Sequence, residues 1–401
     1  MRKAIIAALI VVFVLSAVSR AQPAPQAPSG QTGAPPQRIK SAEILSDGRV
    51  TFRLSAPKAS EVLVHVGDLR KQAYPLTKGE NGTWTVTIGP VEPGIYFYVF
   101  SVDGVSVIDM GNPIFEGGAG INASVLEVRG STPRFDEVQN VPHGSVTMHM
   151  YSSTVENMLR GLYAYVPPQY YTEPTRRFPV LYLWHGGGGA EREWTNTARA
   201  GTILDNLIAQ KKAVPMIIAM PNNAPGTPAN YASAPASSAT SNFPGRPGPA
   251  NYDLLKRELE TEIIPFVDTN YRTIPNRESR AIAGLSAGGG TSMYVGLASL
   301  DTLAYVGEFS SGMFGGVTGY PPFDIEEVSP GFYRDPAATN KRLKLLYMSC
   351  GIDDPRLPFQ KKMAEEFKSH KINVVFMEFP GAHEWKVWRS SLADIASRLF
   401  K

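Results

Sequence analysis

Residues 280–290 read Arg-Ala-Ile-Ala-Gly-Leu-Ser-Ala-Gly-Gly-Gly, and this stretch restricts the fold of the chain more than any other. An apolar run enters Gly284-Leu285-Ser286-Ala287-Gly288 and continues into a helix-like segment. A serine framed by glycines at this spacing is the pattern of a nucleophile elbow, a sharp strand-to-helix turn that holds the hydroxyl clear of the sheet. A serine hydroxyl is a poor nucleophile, so such a turn is useful only beside a base and beside donors for an oxyanion. Gly284 and Gly288 let strand and helix approach where a Cβ would collide. The elbow therefore calls for a strand–helix framework, and its chemistry has to be sought at the ends of neighbouring strands.

With 401 residues, 43% hydrophobic and 19% charged, the chain is long enough for two globular domains. The formal charge of +3 and the lack of a dense Lys/Arg cluster argue against nucleic acid as a partner. Arg2 and Lys3 precede an apolar run, Ala4 to Val18, that ends in Ser19-Arg20-Ala21 before Gln22. Residues 1–21 are read as a secretory signal, because the run is shorter than the roughly 20 residues of a spanning helix. The mature protein is expected to be secreted or periplasmic, without a membrane partner. Cys350 is the only cysteine, which rules out an intrachain disulfide and a cysteine-rich metal site. The histidines show no metal-ligand spacing, and no cofactor is expected.

From Gln22 to Gln37 the chain is Pro, Ala, Gln and Gly with little apolar bulk, a tether that cannot bury enough surface to fold. Residues 38–130 carry short alternating segments punctuated by Asp47-Gly48, Asn81-Gly82 and Asp103-Gly104. They are expected to form an Ig-like β-sandwich. Within it, Tyr96, Tyr98 and Phe100 share one face of a strand, and Ile95, Phe97 and Val99 share the other. If the second set fills the core, the aromatic set must pack on the following domain or stack on sugar.

Residues 131–401 alternate strand and helix. Apolar strands are expected at 179–184, 216–220, 281–283, 304–309, 343–348 and 374–379, with helices near 203–209, 254–267, 287–300 and 359–369. The pattern implies an α/β domain whose mostly parallel sheet is covered on both faces. The connection Asn222 to Pro249, rich in Ala, Ser, Pro, Gly and Asn, is long enough to act as a lid.

Ligands of such sheets bind at the carboxyl ends of the strands. Trp184 is followed there by His185-Gly186-Gly187-Gly188-Gly189, Cys350 by Gly351-Ile352-Asp353-Asp354, and Phe379 by Pro380-Gly381-Ala382-His383. Serine, acid and histidine thus occur in the chain order of an α/β-hydrolase triad, with an oxyanion loop upstream. Ser286 is the candidate nucleophile and His383 the base. Gly187 and Ala287 are the candidate oxyanion donors, while His185 is read as bracing its loop. Asp353 and Asp354 are adjacent, and only one can orient the histidine.

The residues after about Pro142 resemble carbohydrate esterases of the feruloyl and acetyl xylan type, within the esterase D-like branch of the α/β-hydrolases. The resemblance rests on the FPVLYLWHGGGG, RAIAGLSAGGG, SCGIDD and GAHEWKVWR stretches. It implies Asp354 as the acid, an early-set, glycogen-type carbohydrate-binding-like module in front, and an acylated polysaccharide such as xylan as substrate. Related enzymes include siderophore esterases, thioester hydrolases and acyltransferases. A catalytically inactive sugar-binding protein is the rival outside enzymes, and a complete triad argues against it.

Overall fold

The computed structural model describes residues 39–67, 72–112, 114–115, 123–229, 249–313 and 324–401. The expected signal at 1–21, the tether at 22–37 and residues 230–248 of the long connection lie outside the described residues. Residues 39–401 form one compact unit.

Its first part contains β1 (Glu43–Ile44), β2 (Val50–Ser55), β3 (Val62–Val66), β4 (Gln72–Pro75), β5 (Thr77–Lys78), β6 (Thr83–Ile88), β7 (Gly94–Val102), β8 (Val105–Val107) and β9 (Ser124–Val128). They build two antiparallel sheets, β1-β2-β6-β5 and β4-β3-β7-β8, with β9 paired to β7. Val50, Phe52 and Trp84 from one sheet meet Val64, Tyr98, Phe100 and Leu126 from the other in a shared core. Phe52 and Tyr98 are edge-on at 4.9 Å.

The two faces of β7 are therefore used in the opposite sense to the expectation. Tyr98 and Phe100 are fully buried inside this domain, while Ile95 and Phe97, with Ala123 and Val125, join the core of the following domain. Alternation tells which residues share a face; it does not tell which face meets which partner. Tyr96 donates its hydroxyl proton to Glu92 O, and Tyr98 and Phe100 neither pack on the following domain nor stand open for sugar, the two uses expected for this face, but fill the core of their own domain.

The second part adds β10 (Ser145–Ser153), β11 (Met158–Val166), β12 (Val180–Trp184), β13 (Ile217–Pro221), β14 (Arg280–Gly284), β15 (Tyr305–Phe309), β16 (Leu345–Gly351) and β17 (Val375–Phe379). The eight-stranded sheet has the order β10-β11-β13-β12-β14-β15-β16-β17. Its first two pairings are antiparallel and the rest parallel. Helices α1 (Gln169–Thr172), α2 (Glu193–Asn196), α3 (Ala200–Ala209), α4 (Pro249–Glu258), α5 (Ile264–Asn270), α6 (Ser286–Ala298), α7 (Ile325–Val328), α8 (Pro336–Arg342), α9 (Leu357–Ser369) and α10 (Trp385–Ala396) complete it.

The central strands are mostly apolar because both faces are covered. On β12, Leu181 and Leu183 pack toward α3 and α10. Tyr182 and Trp184 pack toward α4, α5 and α6 on the opposite face. The single helix expected over 254–267 is interrupted by a π-turn at Leu259–Ile263, next to Pro265, which lacks the N–H an uninterrupted helix would use. The β10–β11 hairpin and α10 were not among the expected elements.

Candidate active site

The elbow is built by backbone constraint. β14 ends at Gly284, Leu285 is still extended, and Ser286 takes φ +52° as the first residue of α6. A non-glycine residue in that region is strained and persists only where its surroundings enforce it. Here the surroundings are tight. A Cβ on Gly284 would lie 2.4 Å from Gly288 O, and one on Gly288 would lie 2.2 Å from His185 O. Both glycines are thus required for α6 to start directly against the oxyanion loop.

Three predicted side chains converge from three strand ends. His383 Nε2 lies 3.0 Å from Ser286 Oγ, and His383 Nδ1 lies 2.8 Å from Asp354 Oδ2. With the Nδ1 proton donated to Asp354, Nε2 carries the lone pair that accepts from the serine hydroxyl. The other carboxylate oxygen of Asp354 accepts from the Arg356 amide at 3.0 Å and from its guanidinium at 3.1 Å. Asp353, by contrast, is exposed and only its amide is engaged, donating to Gly381 O.

The electrostatics suit these positions. Burial opposes ionisation of Asp354, but the His383 hydrogen bond and charge, joined by Arg356, outweigh it and hold the carboxyl down at about 2. Burial pushes the His383 imidazole below its ordinary value, against the pull of Asp354. A neutral imidazole is the form able to accept a proton from a hydroxyl.

The oxyanion loop follows β12. A Cβ placed on Gly187 would touch that of Ala287 at 3.6 Å, and one on Gly186 would lie 2.6 Å from Leu285 Cδ1. The loop therefore lies directly on the first turn of α6, where helix N–H groups lack intrahelical partners and the dipole favours negative charge. His185 is fully buried. Its Nδ1 donates to Gly186 O at 2.8 Å and its Nε2 accepts from the Asn223 amide at 2.8 Å. Both nitrogens are consumed, in agreement with a bracing role.

Asn223 also donates through Nδ2 to His185 O at 3.1 Å, and Asn222 Nδ2 donates to Glu191 Oε2 at 2.7 Å. Arg160, with no exposure, pairs with Glu258 at 3.0 Å and donates to the carbonyls of Asn222, Ala224 and Thr227. The start of the long connection is consequently tied down through the carbonyls of Asn222, Ala224 and Thr227.

Sequence reasoning also missed Glu308 on β15. It is completely buried, and Oε2 accepts from the Ser311 amide at 2.9 Å and from Gln360 Nε2 at 3.3 Å. Burial raises its carboxyl to about 8 in spite of those bonds, and the Asp354 charge adds to the rise. Glu308 is thus neutral at neutral pH, which leaves Asp354 as the ionised acid beside His383. The signal was a lone Glu inside an apolar strand. Among the described residues no group of His, Cys, Asp and Glu could hold a metal ion, and no helix is long and apolar enough to cross a membrane.

Residues 153–399 match the family model described as "Putative esterase". The chain belongs to this esterase family. Membership places it among carboxylic ester hydrolases. It is 29% identical over 89% of its length to an "Endo-1,4-beta-xylanase/feruloyl esterase" from Xylanibacter ruminicola, of which it spans 45%. The esterase thus corresponds to less than half of that relative. Among solved structures, an enterobactin esterase from Shigella flexneri superposes with a TM-score of 0.62 at 15% identity, covering 91% of the esterase and 98% of the Shigella chain. A CE1 ferulic acid esterase from Anaeromyces mucronatus gives 0.54 at 22% identity, covering 66% of the esterase and 93% of that chain. At these identities the two superpositions speak for the fold.

Proposed function

We propose that the esterase is an exported enzyme that cleaves feruloyl or acetyl esters of plant cell-wall polysaccharide such as xylan, with Ser286, His383 and Asp354 as its triad. The observation that carries the substrate reading is the relationship with the xylanase/feruloyl esterase, which runs through 89% of the chain. The Arg2-Lys3 start and the Ala4 to Val18 apolar run support export, since a polymeric substrate lies outside the cell.

The distances support the following mechanism. His383 Nε2, 3.0 Å from Ser286 Oγ, takes the hydroxyl proton as the oxygen attacks the ester carbonyl. The oxyanion that forms is met by the N–H groups of Gly187 and Ala287, which are fixed in place before the reaction and need no rearrangement. Asp354 holds the imidazole in the required tautomer and stabilises its cation. His383 then returns the proton to the departing sugar oxygen, leaving the acyl group on Ser286. Water activated by the same histidine releases the acid.

A second reading, hydrolysis of a catecholate triester, is favoured by the likeness of the two-part fold to the enterobactin esterase. Relative kcat/KM on methyl ferulate, acetylated xylan and a catecholate triester separates the two. The proposal expects one of the first two to be preferred, and preference for the triester overturns it.

A further inference from the structure

The aromatic face of β7 belongs to the core of the front β domain. Its other face, with Ile95, Phe97, Ala123 and Val125, is continuous with Trp194, Trp385 and Trp388 of the esterase domain. This contact leads toward the reacting groups. Phe97 lies beneath the Arg389 guanidinium at 5.9 Å, and Arg389, on α10, is itself 1% exposed. Arg389 donates to Thr197 O at 2.9 Å, which ties α10 to the segment leading into α3. Two residues on, Arg199 pairs with Glu127 of β9 at 3.0 Å.

The neighbouring residue on α10 is Trp388. Its ring stands edge-on to the His383 imidazole, with centroids 4.8 Å apart at 88°. Trp385 supports Trp388 at 5.1 Å, and Trp194 supports Trp385 at 5.7 Å. Trp194 in turn donates its indole N–H to Trp184 O, the residue that opens the oxyanion loop. A continuous set of rings therefore runs from that loop to the base, and the β domain closes over the helix that carries it.

His383 has one hydrogen bond on each nitrogen. Those two bonds leave the ring free to tilt about the line joining them, so its plane has to be fixed by packing. We propose that Trp388 is a positioning residue for His383 and that the β domain, by seating Phe97 on Arg389, is a structural part of the active site. Energetically, such packing acts through geometry: displacement of a reacting group by about 1 Å can lower turnover on the order of a hundredfold. The proposal rests on His383 being the base, and H383A reports on that separately.

The charged groups that bear on His383 are Asp354 and Arg356; Trp388 contributes exclusion of water. Its removal hydrates the imidazole and relaxes the downward shift caused by burial, so the acid limb of the pH profile moves to higher pH. The test uses p-nitrophenyl acetate, a small ester that makes no demand on a sugar or aryl pocket. W388A should lower kcat at least about tenfold with KM nearly unchanged and move the acid limb of kcat/KM upward. W388F, which keeps an aromatic ring there, should recover most of the loss. F97A should change kcat and the limb in the same directions by smaller amounts, and F97A/W388A should be no worse than W388A alone, since the two act through one contact chain.

Circular dichroism establishes that each variant is folded at the assay temperature, and W388F and F97L stand in for any alanine variant that is not. Normal kcat and an unmoved acid limb in the folded Trp388 variants overturn the proposal. A Phe97 variant that melts earlier yet turns over normally overturns the part given to the β domain. Loss of activity in H383A with normal W388A would leave the triad standing and this proposal refuted.

Discussion

Replacing Ser286 by alanine is expected to lower kcat/KM for any ester the enzyme accepts by at least about a thousandfold, with the fold intact. The size follows from what remains. Without the hydroxyl no acyl-enzyme forms, and catalysis falls back on substrate binding and the Gly187 and Ala287 donors. The fold should survive because Ser286 is only partly buried and its side-chain hydrogen bond is the one to His383. Alanine at φ +52° keeps the strain of the elbow without adding bulk. The check is a progress curve on methyl ferulate or p-nitrophenyl acetate beside a melting curve. Turnover close to wild type would remove Ser286 from the mechanism.

Asp354→Asn should lower kcat on the order of ten-thousandfold. An amide facing His383 Nδ1 presents an N–H where the carboxylate presented an acceptor at 2.8 Å. The imidazole proton is then driven to Nε2, which can no longer accept from Ser286. The negative charge that stabilises the imidazolium is lost as well, and Arg356 is left beside a neutral group. Asp353→Asn, one residue earlier and exposed to solvent, should stay within about twofold, as surface substitutions usually do. Steady-state kinetics of the two variants side by side decide the matter, and the reverse order of effects would move the acid to Asp353.

The parts of the site legible in the sequence were those written in local backbone chemistry. The glycines around Ser286, the loop after Trp184 and the groups after Cys350 and Phe379 lie within a few residues of strands whose apolar runs mark them. A parallel sheet brings such strand ends to one edge, so their convergence could be anticipated. What escaped depends on partners distant in the chain. Arg160 and Glu258 are 98 residues apart, and neither position carries a pattern that announces a buried pair. Asn222 and Asn223 looked like the start of a polar loop, because their role exists only once His185 and Glu191 are in place. Glu308 reads as an ordinary strand residue until its complete burial is known.

The faces of β7 failed for a related reason. Tyr-x-Tyr-x-Phe and Ile-x-Phe-x-Val are both apolar enough to be buried, and all but the half-buried Tyr96 are. Deciding which set faces inward requires knowing that a second domain supplies a second core. The β10–β11 hairpin was equally hard to see. β10 lies at the end of the sheet order and exposes Val146 and Met150 along with Thr147 and Ser152, so its alternation is weak beside the mostly apolar central strands.

The central claim is that Ser286 becomes acylated during turnover, and covalent trapping tests it most directly. Wild-type enzyme mixed with methyl ferulate, quenched in acid within a turnover and analysed as intact protein and as peptides, should carry one feruloyl group on the peptide containing Ser286. The same treatment of Ser286→Ala should give no adduct. Release of ferulate by wild type with no adduct at any quench time, or with the adduct on another residue, would contradict the account.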